Sequence, residues 1–274
     1  MVNSSTFYRY NSIEENDYWR SVLFDNIVFP SSASSFNDPF DCVIKWDTSV
    51  LDTPEMRKGL VASMKKSRVL KLNKLDENKI LYGENVVNSL NSIMKPYNNS
   101  YNALNTMQNV FEENAEIIRK VIKIICFTEI NNSDLMWSHY AQNHTGYCIE
   151  CDFSNKDYVD NIKPIKYTDD PLAFDKSSSL RKYIHDSILR KSTKWAYEKE
   201  WRLFVADENI ITHPDFKNKQ MVLDVQSCLT GVYFGYKTEQ KYIGEVLEFY
   251  KNTSVKIYQM ELDYRNNRLV PRIL

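Results

Sequence analysis

The sequence predicts an α+β fold in which mixed, largely antiparallel sheets carry an inserted lobe of helices. Short strand-like segments are separated by turns as often as by helices, which favours antiparallel or mixed pairing over a doubly wound parallel sheet. A stretch rich in Lys, Asn, Leu and Met, without strand signals, interrupts them at residues 54–120. We therefore expect one α+β domain over residues 1–274, with 54–120 as a helical insertion within it.

Strands are predicted wherever short apolar runs or alternation of apolar and polar residues lie between turn signals. The predicted strands are residues 6–10, 26–30, 122–128, 146–153, 164–167, 197–206, 221–225, 231–234 and 255–262.

Helices are predicted where apolar residues recur at helical spacing. One follows the first strand and buries Trp19, Val22 and Leu23, and another, over residues 178–192, lies late in the chain. Ser133 and Thr238 are placed to cap two more.

The segment FNDPFD at residues 36–41 predicts an ordered turn. Asn and Asp side chains bond their own backbone, and Pro39 bars the preceding residue from helical geometry. We expect Phe36 and Phe40 to anchor this turn in the core.

In the insertion, Gly83 and Pro96 predict breaks between two or three helices. Residues 56–74 contain no acid, and this window would suit a nucleic acid backbone. Its basic residues do not separate from apolar ones on a helical wheel, so we favour a solvated helical surface. The basic residues are Arg57, Lys58, Lys65, Lys66, Arg68, Lys71 and Lys74.

Composition excludes several classes of protein. Only 6 residues are glycine, and no G-x-G-x-x-G or P-loop motif occurs among them, which excludes Rossmann and P-loop nucleotide sites. The chain has 35 basic and 36 acidic residues, and the resulting net charge of -1 offers no global attraction to nucleic acid or to a membrane. The densest apolar stretch, 121–127, is too short to span a membrane. We expect a cytoplasmic protein with no membrane partner and with reduced, buried cysteines.

Cys148 and Cys151 form a C-x-x-C motif with His144 upstream, a spacing seen in zinc and redox sites. Side chains alternate along a strand, so the two thiols point to opposite faces and cannot share one metal. We favour two core cysteines and predict no metal site.

His139 and His144 flank the helical turn MWSHYAQNH and could act in acid/base catalysis. For either histidine taken singly we favour the simpler interpretation, in which the turn packs on the sheet and the imidazole bonds the backbone. A hydrolase site with Asp134 or Asp152 is a weaker alternative, because no nucleophile motif such as G-x-S-x-G accompanies them.

The segment YEKEWRLFVA at residues 197–206 places Glu198, Glu200 and Arg202 on one face of a predicted strand. Such carboxylates could hold a ribose hydroxyl and stabilise a developing oxocarbenium ion. The alternative is a Glu200–Arg202 ion pair on a solvated face, which the segment alone favours.

The blocks FYRY, SSFNDPFD, CFTE, LMWSHYA, GYCIECD and WAYEKEWR resemble, in this order, a bacterial family described as domain of unknown function 2971 (DUF2971). The resemblance runs from Phe7 to Arg202, and the later VYFGYK fits it too. The family implies no settled activity.

A more distant resemblance is to ADP-ribosyltransferase folds, in the order of FYRY, NIVFP, LMWSHYA and YEKEWR. It implies sheets around a cleft that binds NAD. Arg9 and Tyr140 would contact the cofactor, and Glu200, ranked above Glu198, would hold the ribose 2'-hydroxyl. The remaining candidates are Tyr8, Trp137 and Arg202 for cofactor binding and His139 for catalysis.

We expect an enzyme that transfers ADP-ribose from NAD to a nucleic acid or protein acceptor, as a bacterial toxin or antiphage effector. The alternative is a non-catalytic module that binds nucleic acid or protein through residues 54–120.

Overall fold

The computed structural model describes residues 5–13, 18–43, 52–67, 74–96, 98–100, 102–154, 162–170, 172, 179–204 and 223–274. The chain divides into two compact units. The sheet unit comprises Met1–Pro39, Val121–Asp169 and Leu189–Leu274, and the helical unit comprises Phe40–Lys120 and Asp170–Ile188. Residues 54–120, expected as a helical insertion, lie in the helical unit.

The described strands are β1 (Thr6–Asn11), β2 (Ile27–Val28), β3 (Ser31–Ser32), β4 (Lys123–Thr128), β5 (Tyr147–Asp152), β6 (Ile162–Pro164), β7 (Lys166–Tyr167), β8 (Arg190–Lys191), β9 (Glu200–Phe204), β10 (Leu223–Asp224), β11 (Leu229–Phe234), β12 (Lys256–Asp263) and β13 (Arg268–Ile273). The described α-helices are α1 (Tyr18–Leu23), α2 (Pro54–Ser67), α3 (Lys74–Tyr82), α4 (Val86–Met94), α5 (Ala103–Val121), α6 (Asp134–Tyr140), α7 (Leu180–Ile188) and α8 (Gln240–Tyr250). Short 3₁₀ turns lie at Ala33–Ser35 and Thr193–Glu198.

The sheet unit is built on a nine-stranded sheet in the order β13-β12-β11-β5-β1-β4-β9-β6, with β3 paired to β4. Among its described pairs, β11 with β12 is parallel and the others are antiparallel. Two ribbons, β2 with β10 and β7 with β8, accompany it. The prediction of an α+β fold with a mixed, largely antiparallel sheet is confirmed.

The two faces of this sheet carry separate apolar cores. On one face, Phe7, Ile149 and Phe234 belong to a large cluster that also takes in the apolar sides of α1 and α8. On the other face, Tyr10 belongs to an aromatic cluster to which α6 contributes Trp137. The side of the sheet toward which a side chain points therefore decides its environment.

Cys148 and Cys151 lie on β5 and belong to these different cores, as alternation predicts. Cys148 packs in the aromatic cluster, whereas Cys151 packs with Cys228 in the large cluster. In the described part of the chain, no group of three or more His, Cys, Asp or Glu side chains is arranged to hold a metal ion. The described helices also include none that is both long and apolar enough to cross a membrane.

We expect the purified protein to bind no stoichiometric zinc and to keep its fold in a chelator, because these two thiols cannot ligate one ion. Elemental analysis and circular dichroism before and after chelation measure both properties. One zinc per chain, lost together with secondary structure, would contradict the strand geometry of β5.

The helical unit has its own apolar core, formed by Val61, Ile80, Val86, Leu90, Ile93, Ala103 and Met107. The predicted breaks near Gly83 and Pro96 are confirmed, but the segment contains four described helices, α2 to α5, where two or three were expected. A Cβ at position 83 would lie 2.3 Å from the carbonyl oxygen of Lys79, so the turn after α3 requires glycine. The side chain of Asn85 then caps α4 by accepting hydrogen bonds from the next turn. Residues 68–73 of the basic window lie outside the described residues.

Arg57, counted among the basic residues that could contact phosphate, is buried in the helical unit. Its guanidinium donates to the carbonyl oxygens of Ile80 at 2.9 Å and Gly83 at 2.6 Å, and it pairs with Asp52 at 2.8 Å. Lys65 pairs with Glu77 at 2.8 Å. The expected solvated surface is thus wrong for Arg57, which holds the α3–α4 turn.

The expectation that Phe40 anchors the FNDPFD turn in the core is wrong, because its side chain is 79% exposed. The buried members of the motif are Asp38 and Asp41, at 4% and 1% exposure. Phe36 is half-buried and lies under the Arg202 guanidinium, 5.3 Å from its ring centroid. The turn therefore buries two short acidic side chains, with Phe36 as its aromatic contact.

The expected strand over residues 197–206 begins later than its alternation suggests. Residues 193–198 form a 3₁₀ turn that ends at Lys199 in left-handed geometry, with φ 45°. The described strand β9 runs from Glu200 to Phe204, and residues 205–206 lie outside the described residues. Residues 193–198 form a turn and not a strand because the Ser192 side chain caps the first residues of the turn.

Replacing Phe40 by Ala should change the free energy of unfolding by less than about 0.5 kcal/mol, because its ring is exposed. Ile80→Ala, in the same unit but fully buried, should lower it by about 2–5 kcal/mol. Urea unfolding of both variants beside wild type provides the comparison. If the Phe40 variant loses as much stability as the Ile80 variant, Phe40 would be an anchor of the turn after all.

Candidate functional site

Four charged side chains meet in the interior of the sheet unit and form what we call the buried charge cluster: Lys191, Glu198, Glu200 and Arg202. Their side chains are between 0% and 6% exposed. Lys191 ends β8, Glu198 ends the 3₁₀ turn, and Glu200 and Arg202 lie on β9. The cluster holds two positive and two negative groups, so burial leaves no formal net charge.

The left-handed residue Lys199 separates the two carboxylates along the chain. Its backbone N–H donates to the carbonyl of Ala196 and closes the turn, while its own side chain is exposed. Glu198 and Glu200 therefore both point inward to Lys191. The Nζ of Lys191 lies 2.5 Å from Oε2 of Glu198 and 3.2 Å from Oε2 of Glu200.

Glu200 is the inner carboxylate of the cluster and binds Arg202 through both oxygens. The Nε of Arg202 donates to Oε1 at 2.7 Å, and Nη2 donates to Oε2 at 3.1 Å. Burial by itself would raise the pKa of Glu200, but the charges of Arg202 and Lys191 outweigh it and lower the pKa to about 2. Glu200 is thus held ionised by two cations.

Glu198 is the outer carboxylate, and its environment differs. The Tyr140 hydroxyl donates to its Oε1 at 2.5 Å, and the Asn37 amide donates to the Tyr140 oxygen at 3.1 Å. Burial raises the pKa of Glu198, although Lys191 and the hydroxyl of Tyr140 work against it. Burial and the charge of Glu198 also raise the pKa of Tyr140, so this phenol stays protonated.

Four of the residues proposed from separate sequence motifs are thus brought together. Tyr140, Glu198, Glu200 and Arg202 lie in one connected network. The expected Glu200–Arg202 ion pair exists, but it is buried and does not lie on a solvated face.

Other proposed residues lie close to the network without joining it. Trp137 is fully buried, and its Nε1 donates to the carbonyl of Asn131 at 2.8 Å, so its ring is part of the aromatic core. His139 is exposed, with its ring 6.2 Å from that of Tyr140.

Tyr8 and Arg9 lie on opposite faces of β1 by alternation. Tyr8 shares the face of Glu200, in a row of paired residues that runs from Glu150 through Tyr8 and Thr128 to Glu200. Arg9 shares the face of Ile149, and its Nη1 donates to the carbonyl of Cys126 at 2.9 Å. The structure therefore does not bring Arg9 to the side of the sheet that carries Glu200.

Sequence reasoning missed Lys191 and Asn37. Lys191 has the same local pattern as an exposed lysine in a basic segment, and no signal distinguishes it. Asn37 lies within the FNDPFD block, where an amide was assigned to the turn alone. Its bond to Tyr140 joins residues 103 positions apart, which a local pattern cannot show.

Residues 136–203 match the model of a family described as "Protein of unknown function (DUF2971)". This match supports the assignment to that family of unknown function over the segment that carries Tyr140 and all four members of the buried charge cluster. Comparisons with curated proteins and with solved structures found no match.

Glu200→Gln should lower the free energy of unfolding by about 3–5 kcal/mol at neutral pH, because it leaves Arg202 buried without its counter-charge. The pKa of Glu200 is lower in the folded state than its usual 4.5, so its stabilising effect is present above that value and is lost as the pH falls toward 2. The difference between wild type and variant should therefore narrow below about pH 4.5. Urea titrations across this range measure it, and a constant difference would exclude the ion pair as the cause.

Proposed function

We propose that this protein transfers ADP-ribose from NAD to a macromolecular acceptor and that Glu198 carries the reaction. The supporting observation is the 2.5 Å hydrogen bond from the Tyr140 hydroxyl to Glu198. It joins the LMWSHYA and YEKEWR blocks, two of the segments on which the ADP-ribosyltransferase resemblance rests. The two bonded residues lie 58 positions apart in the chain.

The residues around Glu198 fit the ribosyl end of NAD. A carboxylate can accept hydrogen bonds from sugar hydroxyls, and the half-buried ring of Tyr140 can stack on a planar heterocycle. Asn37 adds an amide with both a donor and an acceptor beside Tyr140. Because Lys191 and Arg202 are engaged by carboxylates, the cation that binds the pyrophosphate must come from elsewhere.

In this reaction the bond between the ribosyl carbon and the nicotinamide nitrogen breaks, the electron pair leaves with nicotinamide, and a nucleophile of the acceptor bonds the ribosyl carbon. The chain's contribution is electrostatic. A preorganised carboxylate stabilises positive charge as it develops on the sugar, most strongly where water is excluded. Glu198 meets both conditions, since Lys191 and Tyr140 fix it in place and its side chain is 3% exposed.

Sequence reasoning ranked Glu200 above Glu198 because Glu200 is deeper, but the contacts favour Glu198 for the chemical role. Glu200 is tied to Arg202 through both oxygens and to Lys191, so the bonds of its carboxylate are already committed. Glu198 lies next to the half-buried Tyr140. Its raised pKa also suits it to accept the proton of the incoming nucleophile.

Two described members of the basic window, Arg57 and Lys65, give no support to the alternative of a binding module. Arg57 and Lys65 are engaged with partners of their own unit. We also propose the cytoplasm as the compartment, because all five cysteines are free, as expected under reducing conditions.

Glu198→Gln should keep the fold and lower the rate of nicotinamide release from NAD by about 100- to 1000-fold, the effect of losing one preorganised charge. The assay measures nicotinamide in the presence of cell extract as the source of acceptor. Tyr140→Phe, which removes only the hydroxyl that orients Glu198, should lower the rate by less.

Glu150→Gln is the matched control. Glu150 is a half-buried carboxylate on the same face of the sheet, bonded by the hydroxyls of Thr230 and Tyr233 at 2.6 Å each. Equal release by wild type, the Glu198 variant and this control at matched thermal stability would exclude Glu198 from the reaction. No release by wild type with any extract would overturn the proposal as a whole.

A further inference from the structure

A concave site lies in the sheet unit, and none of its lining residues belongs to the buried charge cluster. Its volume is about 470 Å³, within the range of about 300–1,000 Å³ typical of small-molecule sites. Its walls come from the start of α6, from the segment after α6, from the residues after β11 and from the β12–β13 hairpin. They include Asp134, His144, Tyr236, Tyr264 and Arg268.

The wall formed by His144 depends on an unusual backbone. Gln142, Asn143 and His144 are three successive residues at positive φ, with values of 50°, 53° and 70°. Left-handed geometry is unfavourable for residues other than glycine and persists where the surroundings enforce it. The contacts of the surrounding fold therefore hold these three residues in left-handed geometry.

Glycines on both sides make room for this segment. A Cβ at Gly235 would lie 2.0 Å from the carbonyl oxygen of His144, and a Cβ at Gly146 would lie 2.3 Å from that of Asn11. The backbone N–H of Lys237 donates to the same His144 carbonyl at 3.1 Å. Gly235 thus lets the end of β11 lie against the backbone of His144, and Gly146 lets the chain after His144 lie against the end of β1.

The ring of His144 is fixed as well as its backbone. Its Nε2 lies 3.1 Å from the Ser138 hydroxyl, and its ring centroid lies 5.0 Å from that of Tyr236. Burial and the neighbouring charge of Lys237 lower the pKa of His144, so at neutral pH this wall presents a neutral imidazole beside a phenol ring.

The wall formed by the β12–β13 hairpin is a hydrogen-bonded turn. The Asp263 carboxylate accepts hydrogen bonds from the backbone of Arg265 and Asn266 and from Nε of Arg268, the last at 3.1 Å. This turn holds Tyr264 with its side chain 82% exposed, although a large aromatic ring usually gains by burial.

We infer that this cavity binds the base of a nucleotide, with the nucleotide's phosphate on Arg268 and Lys237. Aromatic rings on both walls offer stacking surfaces for a planar heterocycle, which recognition of unstacked bases exploits. Asp134 supplies a carboxylate acceptor for an amino group on the edge of the base. Arg268 is 60% exposed, and Lys237 lies over the Tyr236 ring at 5.1 Å, so both cations flank the aromatic surface.

The base can belong to a free nucleotide or to a single-stranded nucleic acid, and calorimetric titration separates the two. The probes are adenosine monophosphate, a short oligodeoxyadenylate and an abasic strand of the same length, all without NAD. Failure of the transfer reaction therefore leaves this inference untouched. Saturable binding of the mononucleotide identifies a free nucleotide as a sufficient ligand, and binding of the strand alone identifies nucleic acid.

Tyr264→Ala should weaken the binding of either ligand by about 5- to 100-fold, as expected for loss of one stacking ring. Tyr82→Ala is the matched control, because Tyr82 is also 80% exposed but lies in the helical unit. Since both side chains are exposed, neither variant should lose thermal stability. No saturable binding of any probe, equal effects of the two variants, or equal affinity for the abasic strand would overturn the inference.

Discussion

The guanidinium of Arg202 is completely buried, and the sheet unit must compensate its charge. Glu200 does so through two hydrogen bonds, and Lys191 in turn compensates Glu200. Glu198 is the next member, and Tyr140 and Asn37 continue the chain by hydrogen bonds. Each side chain in this series is positioned by its bond to the previous one, because an unpaired charge in the interior is far less stable than a paired one. These bonds thereby hold together residues from four separate parts of the chain.

This order of charges makes the two carboxylates unequal, although they are two residues apart in sequence. Glu200 lies between two cations, and its pKa falls to about 2. Glu198 has one cation and a neutral phenol, and burial raises its pKa. Environments that push the pKa values of neighbouring carboxyl groups apart are a common basis for assigning different roles. The ion pair between Glu200 and Arg202 is therefore a structural feature of the sheet, and our proposal assigns the reaction to Glu198, the carboxylate beside Tyr140.

A scarcity of glycine shapes the loops of the sheet unit. In the described part of the sheet unit, left-handed backbone falls on Asn26, residues 142–144, Lys199 and Asn267, none of which is glycine, whereas Gly146 and Gly235 stand where a Cβ would collide with a carbonyl oxygen. Positive φ raises the energy of an ordinary residue but does not forbid it, while a steric overlap of this size cannot be relieved without moving the backbone. Lys199 adjoins the buried charge cluster, and residues 142–144 adjoin the cavity lined by His144 and Tyr236.

For most elements the sequence by itself determined the type, although residues 197–198 lie in a 3₁₀ turn where a strand was expected and the Glu200–Arg202 pair is buried where a solvated face was favoured. Alternation placed Cys148 and Cys151 in different cores, and Gly83 and Pro96 marked helix ends, because these properties depend on local geometry. Only the tertiary structure decided that Arg57 is buried, that Phe40 is exposed and that Lys191 joins the cluster. The same local pattern serves an exposed lysine and a buried one. Whether a charge is buried depends on partners from distant segments, and those partners become neighbours only when the sheet has formed.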